Sequence, residues 1–405
     1  MNNISNIRDC YGCGVCATAC TMQIISIGLN DDGFYEPRIT DATQCTGCGL
    51  CLAVCAYSHN DLSLKDRNIR SYGAWSKDEE VRRRCSSGGV GFELGRTLLG
   101  EGYKVCGVRF NAEANMAEHY IATTVEELIP SIGSKYIQSY TFDGFRSIDK
   151  NQKYLVTGTP CQIDSFRRYI RKFRKEDNFV LMDFFCHGVP SKLMWDKYVK
   201  WAEKKVGKLT YVSWRNKFTG WHDSCTMAID GEEYGEPMGW YGSFNMLIRG
   251  HKSFLNSRWS QGDMFYHLFL SDACLGKACY ERCKYKYDQS SADIRIGDAW
   301  GSYYKGEENG VSASIAYTEK GNEVLKMCNC ELEPLPFDIV AEGQMKECPK
   351  RNVISRIIKR MLKKSTSNIR SVILVLKAHN YIVRQIQRVC HPFSVMSNLI
   401  NIIRV

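Results

Sequence analysis

Nothing in the 405-residue chain approaches the roughly 18 uninterrupted apolar residues of a membrane-spanning helix. The opening residues, MNNISNIRDC, lack the apolar centre of a secretory leader. Both absences point to a cytoplasmic protein, where clustered thiols bind metal or do redox work more often than they form disulfides. Acidic residues are absent from Lys350 to Val405, a stretch that holds 12 of the 54 Lys+Arg. The preceding residues carry 42 Lys+Arg against 44 Asp+Glu, so the formal +10 belongs to a tail and gives no reason to expect nucleic acid as a partner. No G-x-G-x-x-G occurs, which removes the common dinucleotide fingerprint.

Cysteine, by contrast, is abundant: 20 residues, in a chain too long for a secreted disulfide scaffold. Cys10, Cys13, Cys16 and Cys20 follow C-x2-C-x2-C-x3-C, and Cys45, Cys48, Cys51 and Cys55 repeat it. Three thiolates two residues apart on a tight loop wrap three corners of a cubane, while the fourth, displaced by a turn, reaches the other cluster. The spacing predicts one 4Fe-4S cluster on Cys10, Cys13, Cys16 and Cys55, and a second on Cys45, Cys48, Cys51 and Cys20. Structural zinc would use paired C-x2-C units rather than triplets. Gly12, Gly14, Gly47 and Gly49 sit between the ligands, where the backbone turns sharply. Ile24 to Thr40 predicts a hairpin around Asn30-Asp31-Asp32-Gly33. Residues 1–65 thus resemble a two-cluster bacterial ferredoxin, departing from it where Thr21 and Ala56 stand in place of the usual proline.

Beyond this unit the pattern becomes strand, glycine-containing loop, helix. Lys104 to Phe110, Tyr154 to Thr157 and Phe179 to Phe185 read as strands; Val90 to Leu99, Gln162 to Arg174 and Ser191 to Lys205 read as helices. Loops at the carboxyl ends of such strands are the usual ligand crevice. Ser86-Ser87-Gly88-Gly89, just ahead of a helix, offers serine caps and unpaired amides to a phosphate, although a plain capped helix is the commoner explanation of such a segment. From Trp195 to Trp259 the chain is rich in aromatics, including Trp201, Trp214, Trp221 and Trp240, interleaved with Arg215 and Lys217. An aromatic core is the simplest reading of that stretch.

Six segments in order carry a more specific signal: Ser86 to Gly89; Gly133-Ser134-Lys135-Tyr136-Ile137-Gln138-Ser139; Gly158-Thr159-Pro160-Cys161-Gln162; Cys186-His187-Gly188-Val189-Pro190; Cys279 with Cys283; and Ala292 to Asp298. With them the chain resembles the beta subunits of coenzyme F420 hydrogenases and dehydrogenases, in the bacterial form with an N-terminal ferredoxin domain. The resemblance implies FAD and a third 4Fe-4S cluster in the body. Carried over by position, Cys161, Cys186, Cys279 and Cys283 would hold that cluster. Ser86, Ser87, Gly88, Gly89, Lys135, Tyr136, Gln138, Gly158, Thr159 and Gln162 would line the flavin. The late cysteine pair is C-x3-C here where the family commonly has C-x2-C, and Cys274 is an alternative ligand. Cys85, Cys106, Cys225, Cys328, Cys330, Cys348 and Cys390 follow no ligand spacing, and packing is their default role.

The expected fold is α+β: a ferredoxin-like dicluster domain over 1–65, an α/β flavin-binding body in two parts, 70–175 and 176–345, and a helical tail over 350–405. The resemblance implies an oxidoreductase that takes electrons from ferredoxin or another redox protein and passes them through FAD to a small organic substrate or hydride carrier. The alternative is a subunit relaying electrons to a partner enzyme, in a surface-polysaccharide pathway as for some ferredoxin-fused relatives. In the tail, Ile354, Ile357, Ile358, Met361 and Leu362 recur at helical spacing, with Arg356, Lys359, Arg360, Lys363 and Lys364 opposite. A second helix is expected from Ile369 to Val389, stopping near Pro392. Such basic amphipathic helices serve an anionic membrane surface, an acidic partner, or the chain's own body.

Overall fold

The computed structural model describes residues 2–217, 220–222, 224, 227–232 and 263–390. Trp240, Trp259, Cys225 and Pro392 lie outside the described residues, as does the side chain of Cys390.

The N-terminal hairpin forms as its turn signal requires. Strands β1 (Ile25–Leu29) and β2 (Tyr35–Ile39) pair antiparallel with Ile27 opposite Pro37. The Asn30 carboxamide accepts from the amides of Asp32 and Phe34, each at 3.0 Å, and closes the turn. Two short helices, α1 (Val15–Ala19) and α2 (Leu50–Ala53), follow the cysteine triplets. Each starts from a glycine in the left-handed region, Gly14 at φ 70° and Gly49 at φ 71°.

The body is built on a nine-stranded mixed sheet. Its parallel centre comprises β4 (Lys104–Asn111), β7 (Tyr154–Thr157), β8 (Phe179–Phe184) and β11 (Ile294–Asp298). Antiparallel β12 (Ser312–Ala316), β3 (Arg70–Ser76) and β13 (Cys330–Pro334) extend one side. Beside β4 lie β5 (Met116–Ala122) and then β6 (Ser139–Tyr140). The central strands are buried on both faces, as a parallel sheet between helices must be. On one face, α3 (Val90–Gly100) sets Val90, Leu94 and Leu98 against Val105, Leu155 and Val180. On the other, α4 (Pro160–Lys172) sets Ile163, Phe166 and Ile170 against Cys106, Val156 and Leu181. Successive strand residues thus serve opposite cores.

A third core forms around α5 (Lys192–Val206), the β9 (Leu209–Ser213) and β10 (Ala228–Gly231) hairpin, and α6 (Met264–Phe269). Trp195 and Trp214 are buried in it, and Trp221 is buried in a neighbouring core. Arg215 and Lys217 are also buried, so these two cations are interior and offer no nucleic-acid surface.

The tail packs onto the same core. Helix α7 (Lys277–Glu281) precedes it in the chain; α8 (Ile354–Lys363) and α9 (Ile369–Cys390) form it. Ile354, Ile358, Leu362, Ile369, Val372, Ile373 and Leu376 are all buried beside Trp195, Tyr198 and Phe265. The apolar face that could have met a bilayer is largely spent on the body, and Lys359 and Lys363 each reach Asp32 of the hairpin turn at 2.6 Å. The outer half of α9 stays exposed. Among the described residues no helix is long and apolar enough to cross a membrane.

Replacing Ile358, which is fully buried, by alanine should cost about 2–5 kcal/mol and lower the thermal midpoint. Ile382→Ala, at a position 56% exposed, should change stability by less than about 0.5 kcal/mol. Equal midpoints for the two variants would refute this docking of the tail.

Candidate functional site

Four of the eight N-terminal cysteines gather across the two repeats. Cys10, Cys13, Cys16 and Cys55 line one small cavity with Ile4, Ile7, Pro37 and Tyr57. Burial pushes the Cys13 thiol up to about 11, with the nearby Cys55 adding to it; Cys10 and Cys16 are raised further, chiefly by burial. Cys51 lies within electrostatic range of Cys48 and Cys20, and Cys20 and Cys45 pack against the cluster that holds Cys51 and Cys16. The Gly12 amide lies 3.3 Å from Cys10 Sγ, and the Asn3 carboxamide donates to Cys45 Sγ at 3.3 Å. Among the described residues no three His, Cys, Asp or Glu side chains converge tightly enough for a single metal ion. A cubane asks for the opposite, four thiolates spread around the corners of a cluster.

Glycine is needed here for space as well as for backbone. Gly12 has φ 65°, and a Cβ there would collide with the Gln138 carboxamide and the Tyr35 carbonyl. A Cβ on Gly14 would strike Thr141 Oγ1. Both glycines therefore let their loop lie flush against the body. Cys13 donates to Ser165 Oγ at 3.2 Å, and the same hydroxyl accepts from the Ala56 amide at 3.0 Å. Next to it on α4, Asp164 accepts from the Ser63 amide at 2.7 Å and from Tyr285 at 2.8 Å.

The four cysteines of the body also come together. Cys161 opens α4, Cys186 follows β8, and Cys279 and Cys283 belong to α7 and its exit. Cys161 lies within electrostatic range of Cys186 and Cys279, and also of Cys13 of the ferredoxin unit. Burial pushes Cys186 up to about 12 and Cys279 up to about 11, and each has Cys283 nearby. Cys283 is held below its ordinary value, first by a hydrogen bond from Cys348 and then by the Lys286 ammonium. Buried thiols of this kind ionise when a cationic centre sits among them, so the donor set suits an iron-sulfur cluster. Cys274 stands apart: it is buried with its sulfur 3.1 Å from Met194 Sδ and faces none of the four.

Against this set opens a cavity of about 540 Å³, at the carboxyl ends of the central strands. Ser86, Ser87, Gly89, Lys135, Tyr136, Gly158, Thr159, Gln162 and Cys186 all line it. At the loop end, the first amides of α3 have no partner within their helix, and Gly89 turns into it at φ 88°. Burial pushes the Lys135 ammonium down to about 7. Gln162 lines the cavity while accepting from the Thr159 amide at 2.8 Å, which fixes the start of α4 and with it Cys161. Phe184, Phe185, Phe269, Tyr287 and Trp300 form apolar walls. The volume, anion-binding end and apolar walls suit a dinucleotide with a large planar ring.

Two of the expected lining residues are placed elsewhere. Gly88 packs under the loop, its amide donating to Ser312 Oγ at 3.0 Å. Gln138 faces the ferredoxin unit, accepting from the Tyr35 amide at 2.9 Å. Three residues to which the sequence assigned no role matter as much. Lys217 donates to the carbonyls of Arg82, Ser87 and Asn309, each at 2.5 Å, and so fixes the Ser86–Gly89 loop. Lys286 donates to the carbonyls of Cys186 and His187 at 2.6 and 2.9 Å. Arg295, fully buried, binds both oxygens of Asp183 at 2.7 and 2.8 Å, three residues before Cys186.

Residues 151–334 match the family model for the C terminus of the coenzyme F420 hydrogenase/dehydrogenase beta subunit, and residues 71–143 match its N-terminal counterpart. The chain belongs to this family. Residues 9–59 match a 4Fe-4S dicluster domain, which makes this member of the beta subunit family an iron-sulfur electron-transfer protein. No curated protein matches the chain. A chain of the F420-reducing NiFe hydrogenase complex from Methanosarcina barkeri is similar at 16% identity and a TM-score of 0.43, over 78% of this chain and 91% of that one.

Arg295→Met leaves Asp183 buried without its counter-charge and should cost about 3–5 kcal/mol of stability. Adding Asp183→Leu should recover most of that loss, which paired thermal melts of the single and double variants would measure.

Proposed function

We propose that the chain is an iron-sulfur flavoprotein oxidoreductase. Electrons from ferredoxin or another redox protein enter at the Cys20, Cys45, Cys48 and Cys51 set, where Cys48 is exposed. They move through the Cys10, Cys13, Cys16 and Cys55 set, then the Cys161, Cys186, Cys279 and Cys283 set, to FAD in the cavity. The observation that carries this reading is the position of the third set: Cys161 opens the helix whose Ser165 is bonded by Cys13, while Cys186 lines the cavity. Bound clusters supply single-electron transfer, and bound FAD converts single electrons into hydride for a small organic substrate or hydride carrier.

The chain's own residues hold and order these groups. Lys135 and the first turn of α3 favour the anionic part of the cofactor. Lys286 ties down the Cys186–His187 loop and places a cation beside sulfur. Aromatic walls exclude water from the cavity. The beta subunit match favours a second reading, in which the hydride acceptor is coenzyme F420 or a partner enzyme.

Protein purified without oxygen should contain about twelve irons per chain, three cubanes of four, and one FAD. Cys186→Ser should lower the iron count to about eight while keeping the spectrum of the N-terminal pair. Clusters without flavin in the wild type would sink the proposal.

FAD rebinding to flavin-free protein gives a separate test. Lys135 gains its proton as pH falls through about 7, so anion binding should tighten from pH 8 to pH 6. The expected gain is roughly tenfold, the scale of one charge-assisted hydrogen bond. Lys135→Met should flatten this dependence.

A further inference from the structure

Helix α9 carries two apolar stripes, and the body covers one of them. Ile369, Val372, Ile373 and Leu376 are buried in the core around Trp195 and Phe265. Leu374, Ala378, Ile382 and Ile386 recur every fourth residue, so they share one face of the helix, with Tyr381 beside them. At about 100° per residue, that face points away from the docked one. Leu374 is 67% exposed, Tyr381 65%, and Ile382 and Ile386 56% each. These residues are concentrated rather than scattered: of the 14 large hydrophobic residues exposed among the described residues, six lie between Val353 and Ile386.

A row of cations borders the second stripe. Arg370, Lys377 and Arg384 are seven residues apart and Arg388 stands one turn further, so the four run along one side of it, all exposed. Among the described residues the tail's ion pairs use Lys359 and Lys363, and none uses these four. No Asp or Glu occurs from Lys350 onward to offset them. We propose that this face of α9 docks the protein on an anionic phospholipid surface, with the apolar stripe entering between the headgroups and the cations meeting their phosphates. Charge selects this occupant. A second copy of the chain would set one uncompensated basic row against another, and an uncharged apolar partner would leave the row unused. Tyr381 and the long basic side chains each join an apolar stem to a polar tip, the form that settles at a headgroup boundary. The body sits on the opposite side of the helix, so occupancy of this face leaves the buried residues of α9 in place. The surface is separate from the cysteine sets, and its role does not depend on the electron path proposed above.

The test is sedimentation of the full chain, prepared without oxygen, with vesicles of phosphatidylcholine alone or with phosphatidylserine added. Wild type is compared with a charge variant, Lys377→Gln with Arg384→Gln and Arg388→Gln, and with a neutral stripe variant, Ile382→Ser with Ile386→Ser. Both variants should keep the wild-type thermal midpoint, since every changed residue is exposed. The wild type should bind the anionic vesicles, more weakly at about 1 M salt than at about 0.1 M, and leave the phosphatidylcholine vesicles unbound. Affinity should fall roughly fivefold for each cation removed and about tenfold in the stripe variant. Absence of wild-type binding to the anionic vesicles would overturn the proposal, as would equal binding by wild type and both variants. Binding to polyglutamate that survives the stripe variant, without binding to vesicles, would assign the face to an acidic protein and overturn it as well.

Discussion

Helix α4 has to satisfy two neighbours at once. Its first turn presents Cys161 to the body's cysteines, and its second presents Asp164 and Ser165 to the ferredoxin unit. Because Cys161 and Ser165 are four residues apart, they lie one above the other on a single face of the helix. The spacing between the thiols around Cys13 and those around Cys161 is therefore set by helix geometry, not by a linker. Gly12 and Gly14 let the first ferredoxin loop lie close to Gln138 and Thr141 of the body, and Ser165 hydrogen-bonds both Cys13 and the amide of Ala56, which follows Cys55.

A site this rich in buried thiols is served by positive charge nearby, and lysines of the body stand around it, Lys286 near Cys186 and Lys135 at the cavity. Lys286, Lys217 and Lys135 all spend their hydrogen bonds on backbone carbonyls. An ammonium bound this way organises a loop, and Lys135 and Lys286 also line the cavity. Arg295 differs, since its charge is matched by Asp183, and the pair anchors the strand that delivers Cys186. The local cations act on the site, whereas the net charge of the whole chain does not describe it.

Legibility in the sequence followed contact range. The paired C-x2-C-x2-C-x3-C repeats are local, and their spacing alone pairs Cys55 with the first loop and Cys20 with the second. Strands β4, β7 and β8 and helices α3, α4 and α5 were equally readable, since burial on both faces of β8 and one face of α4 writes the hydrophobic pattern directly, whereas β3, β5, β6, β11, β12 and β13 were not read as strands. The body's cysteines were reachable only through the order of family segments, because Cys161, Cys186 and Cys279 arrive from three distant places. Cys348, Lys217 and Lys286 left no sequence signal at all. Each acts on a residue between 65 and 135 positions away or on a carbonyl that any residue provides.

The tail shows the same limit from the other side. Its amphipathic pattern was plain, but a pattern names a buried face and not what buries it. Ile358 and Leu362 found Trp195 and Tyr198, and Lys359 and Lys363 found Asp32 at the tip of the hairpin. That turn is itself held at the start of α5, where the Lys192 amide donates to the Gly33 carbonyl at 2.9 Å and Ser191 donates to the Asp32 carbonyl at 2.6 Å. The basic residues of α8 thus help press the ferredoxin unit onto the body at a second place, away from α4. A strongly basic segment here serves the internal geometry of an electron path, with charge used between parts of one chain before any external surface is involved.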